Sequence, residues 1–174
     1  LTTSSAASDV YKRQTLLFLI GGFLVMWMAA GFAMLETGLV RSKNASTQLL
    51  KNVALFSLAS IAYFIVGFNL MYPGDGWIIN GWMGGFSLTG LEPAGVGADG
   101  VDFTYASVGS DFFFQLMFCA ATASIVSGTV AERVKLWPFL IFTIVLTGIF
   151  YPISASWQWG GGWLSEAGFS DFAG

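Results

Sequence analysis

The sequence contains no histidine and a single cysteine, Cys119. Histidine is the commonest general base and metal ligand of proteins, so its absence removes the simplest acid–base and metal sites from this chain. One cysteine inside an apolar run forms neither an internal disulfide nor a thiolate metal cluster. We therefore expect no disulfide framework, no metal site and no bound cofactor.

Charge is scarce as well. Charged residues make up 10% of the chain, whereas ordinary soluble domains have about 25%. The net charge is −3, and without a basic patch a nucleic-acid partner is not expected. No Ser–His, Cys–His or paired-carboxylate arrangement is present, so the sequence does not predict an enzyme.

The sequence instead contains long runs without any charged side chain. Residues 112–130 and 136–165 contain no charged side chain, and only Glu132, Arg133 and Lys135 are charged between them. Each run is long enough to cross a bilayer as a helix, so together they predict a transmembrane helical hairpin. Their outward faces are as apolar as their inward ones, which excludes a soluble helical bundle. The fold class is an all-α polytopic membrane protein.

Two further runs, residues 15–35 and 53–72, bring the expected number of transmembrane helices to four. A fifth helix is expected to begin near residue 174. The connection 73–110 is rich in glycine and acidic residues, and its GWMGGF stretch at 81–86 is apolar enough for a short interfacial or packed segment. Residues 1–14 are polar and lack a signal-peptide core. They are either a native tail or a translated cloning adaptor, and we leave them out of the membrane domain, residues 15–174.

The basic residues predict the orientation. Arg41, Lys43 and Lys51 lie between the first two helices, and Arg133 and Lys135 between the third and fourth. Because positive residues stay in the cytoplasm, loops 41–52 and 131–136 are expected there and the N-terminus outside, in a multi-pass protein of the cell membrane. Lys12 and Arg13 would lie on the outer side and so do not follow this rule, but they belong to residues 1–14, which we leave out of the membrane domain.

The third helix has two distinguishable faces. Ala120, Ser124 and Gly128 repeat every four residues, a stripe that lets another helix approach closely. Phe114 and Phe118 lie on a different face, since residues two apart point in nearly opposite directions around a helix. From the pattern alone, these rings are either lipid-facing or core aromatics.

Three blocks of sequence resemble the ammonium transporter family, the Amt/Mep/Rh channels. They are GFAMLETGLVRSKNASTQLLKN, FFFQLMFCAATASIVSGTVAERVK and YPISASWQWGGGWLSEAGFSDFAG, in the family's order and spacing. The resemblance implies an eleven-helix subunit of two inverted five-helix halves, assembled as a homotrimer with one pore per subunit. This chain would supply most of the first half.

The resemblance also assigns residues. Trp159 matches the tryptophan that recruits ammonium, Phe118 the gate ring, and Phe114 the ring one turn above it. Aromatic faces bind a compact cation weakly, by about 0.5 to 2 kcal/mol. Gly160, Gly161 and Gly162 would form the turn that positions the indole, and Asp171 would orient backbone around the site. The alternative for Trp159, and our expectation for Trp157 and Trp163, is an interfacial belt.

The paired pore histidines of the family would follow Asp171 or lie in the second half, and none is present. Glu36 and Glu132 each end an apolar run at the basic side and need a partner or water there. We interpret both as structural, with Arg41 or Arg133 as their expected partners.

Three functions remain open. The first is transport of ammonium or ammonia by the parent protein. The second is an ammonium sensor that acts on a cytoplasmic signal-transduction protein. The third is an unrelated polytopic protein, which three ordered blocks make difficult to sustain.

Overall fold

A computed structural model describes residues 2–88 and 106–170, with side chains from residue 9 onward. In this part of the chain, four helical spans are long and apolar enough to cross a membrane, and the predicted number is confirmed. Spans 1 to 4 are, in order, Asp9–Leu39, Ser42–Met71, Val108–Thr129 and Leu136–Ser156.

Each span is built from one or more helical elements. Spans 2 and 4 both contain a π-helical turn, where one extra residue widens the helix. The elements are α1 (Thr2–Leu39), a 3₁₀ turn (Ser42–Asn44), α2 (Ala45–Ala62), a π turn (Tyr63–Gly67), α3 (Phe68–Met71), α4 (Val108–Thr129), α5 (Leu136–Val145), a π turn (Leu146–Phe150), α6 (Tyr151–Ser156) and the short α7 (Trp163–Glu166).

The first two spans differ from the predicted boundaries. Helix α1 begins at Thr2, so the polar residues that were left out of the membrane domain continue the first helix. Span 2 turns helical at Ser42, and Lys51 lies buried within α2 rather than in a loop. The predicted loop 41–52 is thus mostly helix. Hydropathy missed it because Gln48, Lys51 and Asn52 are buried against other spans, as shown below.

Spans 1 and 3 pack through glycines that receive phenylalanine rings. A Cβ placed on Gly21 would lie 2.8 Å from the Phe114 ring, and one on Gly22 would lie 2.5 Å from the Phe113 ring. Any larger residue would push the helices apart, so these two glycines set their separation. On α4, the predicted packing stripe is confirmed for Ala120 and Ser124, which are buried.

Spans 2 and 4 meet where their π turns lie side by side. A Cβ on Gly67 would be 3.1 Å from the Pro152 ring and 3.2 Å from the Thr147 carbonyl oxygen. Beside this contact lies an aromatic and sulfur-containing cluster shared by spans 2 and 3, made up of Tyr63, Phe68, Met71, Tyr72 and Cys119. Cys119 is therefore a core residue.

A small antiparallel hairpin follows span 2. Strand β1 (Trp77–Ile79) pairs with β2 (Met83–Gly84), and a Cβ on Gly84 would be 2.9 Å from the Leu70 carbonyl oxygen. The hairpin therefore lies directly on the end of span 2. In the segment 81–86, expected to be interfacial or packed, Gly81 and Gly84 are buried while Trp82 and Phe86 are exposed, and its strand pairing was not foreseen.

The opposite end of the bundle, which we name the basic end, carries Arg41, Lys43, Lys51, Arg133 and Lys135. Glu132, in the turn between spans 3 and 4, accepts hydrogen bonds from the Arg41 backbone N–H at 3.0 Å, Arg41 Nε at 3.2 Å and Asn44 Nδ2 at 2.6 Å. These donors, Asn44 first, lower the pKa of the Glu132 carboxyl. The expected pairing of Glu132 with Arg41 is confirmed.

Glu36 does not pair with arginine, and that part of the expectation was wrong. Its carboxylate is buried, and Oε2 accepts from Gln48 Nε2, from Asn52 Nδ2 at 2.9 Å and from Ser127 Oγ at 2.8 Å. Arg41 is occupied by Glu132. Neutral amides and a hydroxyl from spans 2 and 3 satisfy this oxygen instead.

Candidate functional site

The chain makes a tight turn directly after span 4, and Trp159 lies on it. The N–H groups of Trp159 and Gly160 donate to the carbonyls of Ala155 and Ser156 at 2.8 and 3.1 Å, which continues the helix by one turn. Gly161 then adopts a φ of +76°, a left-handed conformation that favours glycine. The backbone reverses there and enters α7.

The glycines on either side of Gly161 are required because no side chain fits at their positions. A Cβ on Gly160 would overlap the Met71 carbonyl oxygen, and one on Gly162 would be 2.7 Å from the Gly81 carbonyl oxygen. The turn is therefore pressed against the end of span 2 on one side and the hairpin on the other. This close fit leaves little freedom for its backbone.

Trp159 itself points away from these contacts, with 60% of its surface exposed. Trp157 and Trp163, which we expected at the lipid interface, are partly buried and pack against each other and against Trp82 of the hairpin. Of the three tryptophans in residues 157–163, Trp159 alone is exposed. It is free to meet a solute at this end of the molecule.

Phe114 and Phe118 lie on span 3, and the structure brings them together. Their ring centroids are 5.0 Å apart, and Phe114 also stacks on Phe18 of span 1 at 5.0 Å. Phe114 is thus a packed aromatic, while Phe118 is exposed on the open face of α4. Among the described residues, no ring contact joins either of them to Trp159, so the three predicted site residues form a pair and a separate indole.

An open groove of about 360 Å³ runs between spans 3 and 4. Thr122 forms one wall, one helical turn from Phe118, and Tyr151, Ser154 and Trp157 form the other. Trp159 and Phe118 do not line the groove themselves: along the chain, Trp159 is two residues from Trp157, and Phe118 is one helical turn from Thr122. The groove walls are mostly apolar, with hydroxyls from threonine, tyrosine and serine.

Comparison with known proteins shows the family to which the chain belongs. The sequence model of a protein family described as Ammonium Transporter Family matches residues 16–174 of the chain. The chain is 41% identical over 174 residues to a putative ammonium transporter of Synechocystis, sll1017, covering 99% of this chain and 37% of that protein. It is 44% identical over 151 residues to ammonium transporter Amt2 of Archaeoglobus fulgidus, covering 87% and 30%.

The chain belongs to the ammonium transporter family.

Solved structures agree with this assignment. The fold superposes on a structure described as Sensor Amt Protein with a TM-score of 0.79 and 33% identity, over 96% of this chain and 40% of that one. It superposes on Mep2 of Candida albicans, in its G343C mutant, with a TM-score of 0.74 and 26% identity, over 97% and 36%. The chain spans well under half the length of these ammonium transporter relatives.

One predicted residue cannot be placed, because Asp171 lies outside the described residues.

Within residues 2–88 and 106–170 no group of three or more histidine, cysteine, aspartate or glutamate side chains could hold a metal ion. The named relatives are transporters, which are not enzymes.

Sequence reasoning overlooked a second acid near the site. Asp111, in the first turn of α4, is 1% exposed and hydrogen-bonds to Tyr72 and Gln115. It lies on the helical face of Gln115 and Phe118, at spacings of four and seven residues. The available signal was an acid at the start of an apolar helix, where the helix dipole favours negative charge.

Proposed function

We propose that a transporter containing this chain moves ammonium or ammonia across the cytoplasmic membrane. The observation that carries the proposal is the exposed Trp159 indole on a turn held by close glycine contacts. Membership of the ammonium transporter family supplies the substrate class.

In this proposal Trp159 recruits the cation from solution. The face of an indole attracts ammonium more weakly than a carboxylate would, so the cation is selected without being trapped. Phe118, next to the groove, then acts as the gate ring, with Phe114 packed above it as its support. Beyond the rings an apolar path favours loss of hydration, and Asp171 orients backbone around the site.

The orientation belongs to the proposal too. We place the N-terminus outside, and the mostly helical residues 41–52 and the turn 131–136 at the cytoplasmic side. The hydrogen bonds from Arg41 to Glu132 support a common side for these two segments, since they join one segment to the other. Five basic residues at that end support the cytoplasmic assignment.

The assembly and partners are also inferred. We propose a homotrimer in the lipid bilayer, with a cytoplasmic signal-transduction protein as a possible regulator at the basic end. Family membership supports the first. The second is supported by the similarity to a protein whose printed description is Sensor Amt Protein.

Trp159→Leu tests recruitment in a full-length transporter that carries this chain. Removing the indole face should raise the ammonium concentration that gives half-maximal uptake by about 2- to 30-fold, the equivalent of a cation–π contact. Uptake is measured over a concentration series. Trp137→Leu, which removes an exposed tryptophan at the other end of span 4, is the control. Unchanged uptake by Trp159→Leu would contradict recruitment.

The second candidate is an ammonium sensor, favoured by the structural neighbour described as Sensor Amt Protein. A sensor would bind ammonium through the same exposed indole without net flux. Proteoliposomes containing the full-length protein distinguish the two functions. Ammonium-dependent internal alkalinisation or current supports transport, while saturable binding without either supports sensing.

A further inference from the structure

Three tryptophans from distant parts of the sequence meet beside the Trp159 turn. Trp82 of the hairpin stacks on Trp163 with ring centroids 4.9 Å apart and an angle of 14°. Trp157 completes the group, with its centroid 6.0 Å from Trp82 and 5.9 Å from Trp163. We name Trp82, Trp157 and Trp163 the tryptophan clamp.

Hydrogen bonds fix the clamp at both sides of the turn. Trp157 Nε1 donates to the Trp82 carbonyl oxygen at 2.8 Å, ahead of Trp159. The Trp163 N–H donates to the Gly81 carbonyl oxygen at 3.0 Å, after it. The two residues that flank the turn are therefore bonded to adjacent carbonyls of the same hairpin.

The hairpin is in turn anchored to the membrane bundle. Gly84 lies against the Leu70 carbonyl, and Gly160 lies against the Met71 carbonyl, at the end of span 2. The hairpin and the turn thus rest on two adjacent residues of span 2. Movement of the Trp159 backbone would require the hairpin or the end of span 2 to move with it.

We propose that the tryptophan clamp is a positioning device that fixes the backbone of the Trp159 turn, and through it the direction in which the indole projects and the apparent affinity for ammonium. The inference rests on the proposed function of Trp159 in recruitment. A cation–π contact depends on the ring presenting its face, and a ring carried by a fixed backbone has less freedom to lose when the cation binds. Trp82 belongs to no recruitment motif, so it is a new positioning residue for this site.

A general stabilising role for the clamp makes a different prediction. A structural residue changes the amount of folded transporter and therefore the maximal rate, while the half-saturating concentration stays constant. A positioning residue for the recruitment step changes the half-saturating concentration and leaves the maximal rate per folded protein nearly unchanged. The two roles are separable in one uptake experiment.

The kinetic test uses Trp82→Ala, Trp82→Phe and the control Trp137→Ala in a full-length transporter carrying this chain. We expect Trp82→Ala to raise the half-saturating concentration about threefold or more. Trp82→Phe keeps an aromatic ring that can stack, so its half-saturating concentration should return close to the wild-type value. Trp137→Ala should leave the half-saturating concentration unchanged. In a Trp159→Leu background, Trp82→Ala should add no further change, because the group it positions is gone.

A second measurement reports on the indole directly. The transporter is labelled with 5-fluorotryptophan, and the ¹⁹F signal of Trp159 is assigned by its loss in Trp159→Phe. We expect this signal to shift or broaden in Trp82→Ala and to return in Trp82→Phe. Trp82→Leu, which retains apolar bulk, replaces Trp82→Ala if the smaller residue prevents folding.

The two measurements separate the clamp from the function on which it rests. An unchanged Trp159 signal and unchanged half-saturation in both Trp82→Ala and Trp82→Leu would overturn the clamp and leave recruitment intact. If the signal changes in these variants while Trp159→Leu itself takes up ammonium normally, recruitment fails. The clamp's proposed effect on affinity is overturned with it.

Discussion

The Glu36 carboxylate joins three spans at the basic end. It projects from span 1 and accepts from Gln48 and Asn52 of span 2 and from Ser127 of span 3. Beside it, Lys51 Nζ donates to the Ser127 carbonyl oxygen at 3.0 Å and lies 5.0 Å from the Phe139 ring centroid of span 4. A polar network of this kind specifies which helices meet in an otherwise apolar bundle.

The sequence shows that Glu36 needs a partner, because an isolated carboxylate in lipid is costly. It does not show which partner, because amides and hydroxyls compete with arginine for the same oxygen. The same limit applies to Trp157 and Trp163. Their contacts with Trp82 could not be predicted, because the partner lies on a hairpin distant in sequence.

Glu36→Leu tests the network at the scale of one residue. The substitution leaves three buried donors without their acceptor, and we expect the free energy of unfolding to fall by about 2 to 4 kcal/mol. Thermal unfolding of the full-length transporter in mild detergent measures the loss. Glu166→Gln, at an exposed acid in α7, is the control. A Glu36→Leu variant as stable as that control would show that the network contributes nothing.

At the scale of elements, spans 3 and 4 were predictable because no charged residue interrupts span 4 or the part of span 3 after Asp111. The prediction for span 2 started too late, at residue 53, since Gln48, Lys51 and Asn52 read as a loop. They are helical because each has a hydrogen-bond partner on another span or on its own. Hydropathy detects lipid-facing helix and overlooks helix whose polar groups are satisfied inside the bundle.

The turn between spans 3 and 4 gives a prediction about pH. Its Glu132 carboxylate is held by Asn44 and Arg41, which lower its pKa. A lowered folded-state pKa stabilises the fold above the ordinary glutamate pKa of about 4.3, and that contribution is lost as the pH falls through the lower folded value. Glu132→Gln should therefore unfold at a lower temperature than wild type at pH 7.

The difference should shrink as the pH is lowered through the folded pKa of Glu132, because protonation then removes the same charge from the wild type. Thermal midpoints of both proteins in detergent, measured from pH 7 down to pH 3, check this. A difference in thermal midpoint of equal size at every pH would mean that the Glu132 charge does not stabilise the turn.

At the scale of the whole molecule, the four spans form a bundle with one side left open. The exposed face of span 3 carries Phe118 and Ile125, together with the partly buried Thr122 in the groove. This groove is the part of the candidate site that sequence could not predict, since it depends on the relative placement of spans 3 and 4. The predicted site residues were found by resemblance, and their roles stay predictions.

The open face leads to a last prediction, for the 174-residue chain expressed alone. The chain covers 37% of its Synechocystis relative, and without other segments of a full-length transporter the groove lined by Thr122, Tyr151 and Ser154 would meet lipid. The Thr122 and Ser154 hydroxyls already donate to carbonyls of their own helices, so the driving force is the packing that the open groove leaves unmade, and other copies of the chain should fill it. We expect poor folding or association into mixed sizes, measured by size-exclusion chromatography in mild detergent before and after heating. The full-length transporter is the control and should elute as one species. A discrete, heat-stable trimer of the 174-residue chain would contradict the prediction, because it would show that the groove requires no further part of the protein to cover it.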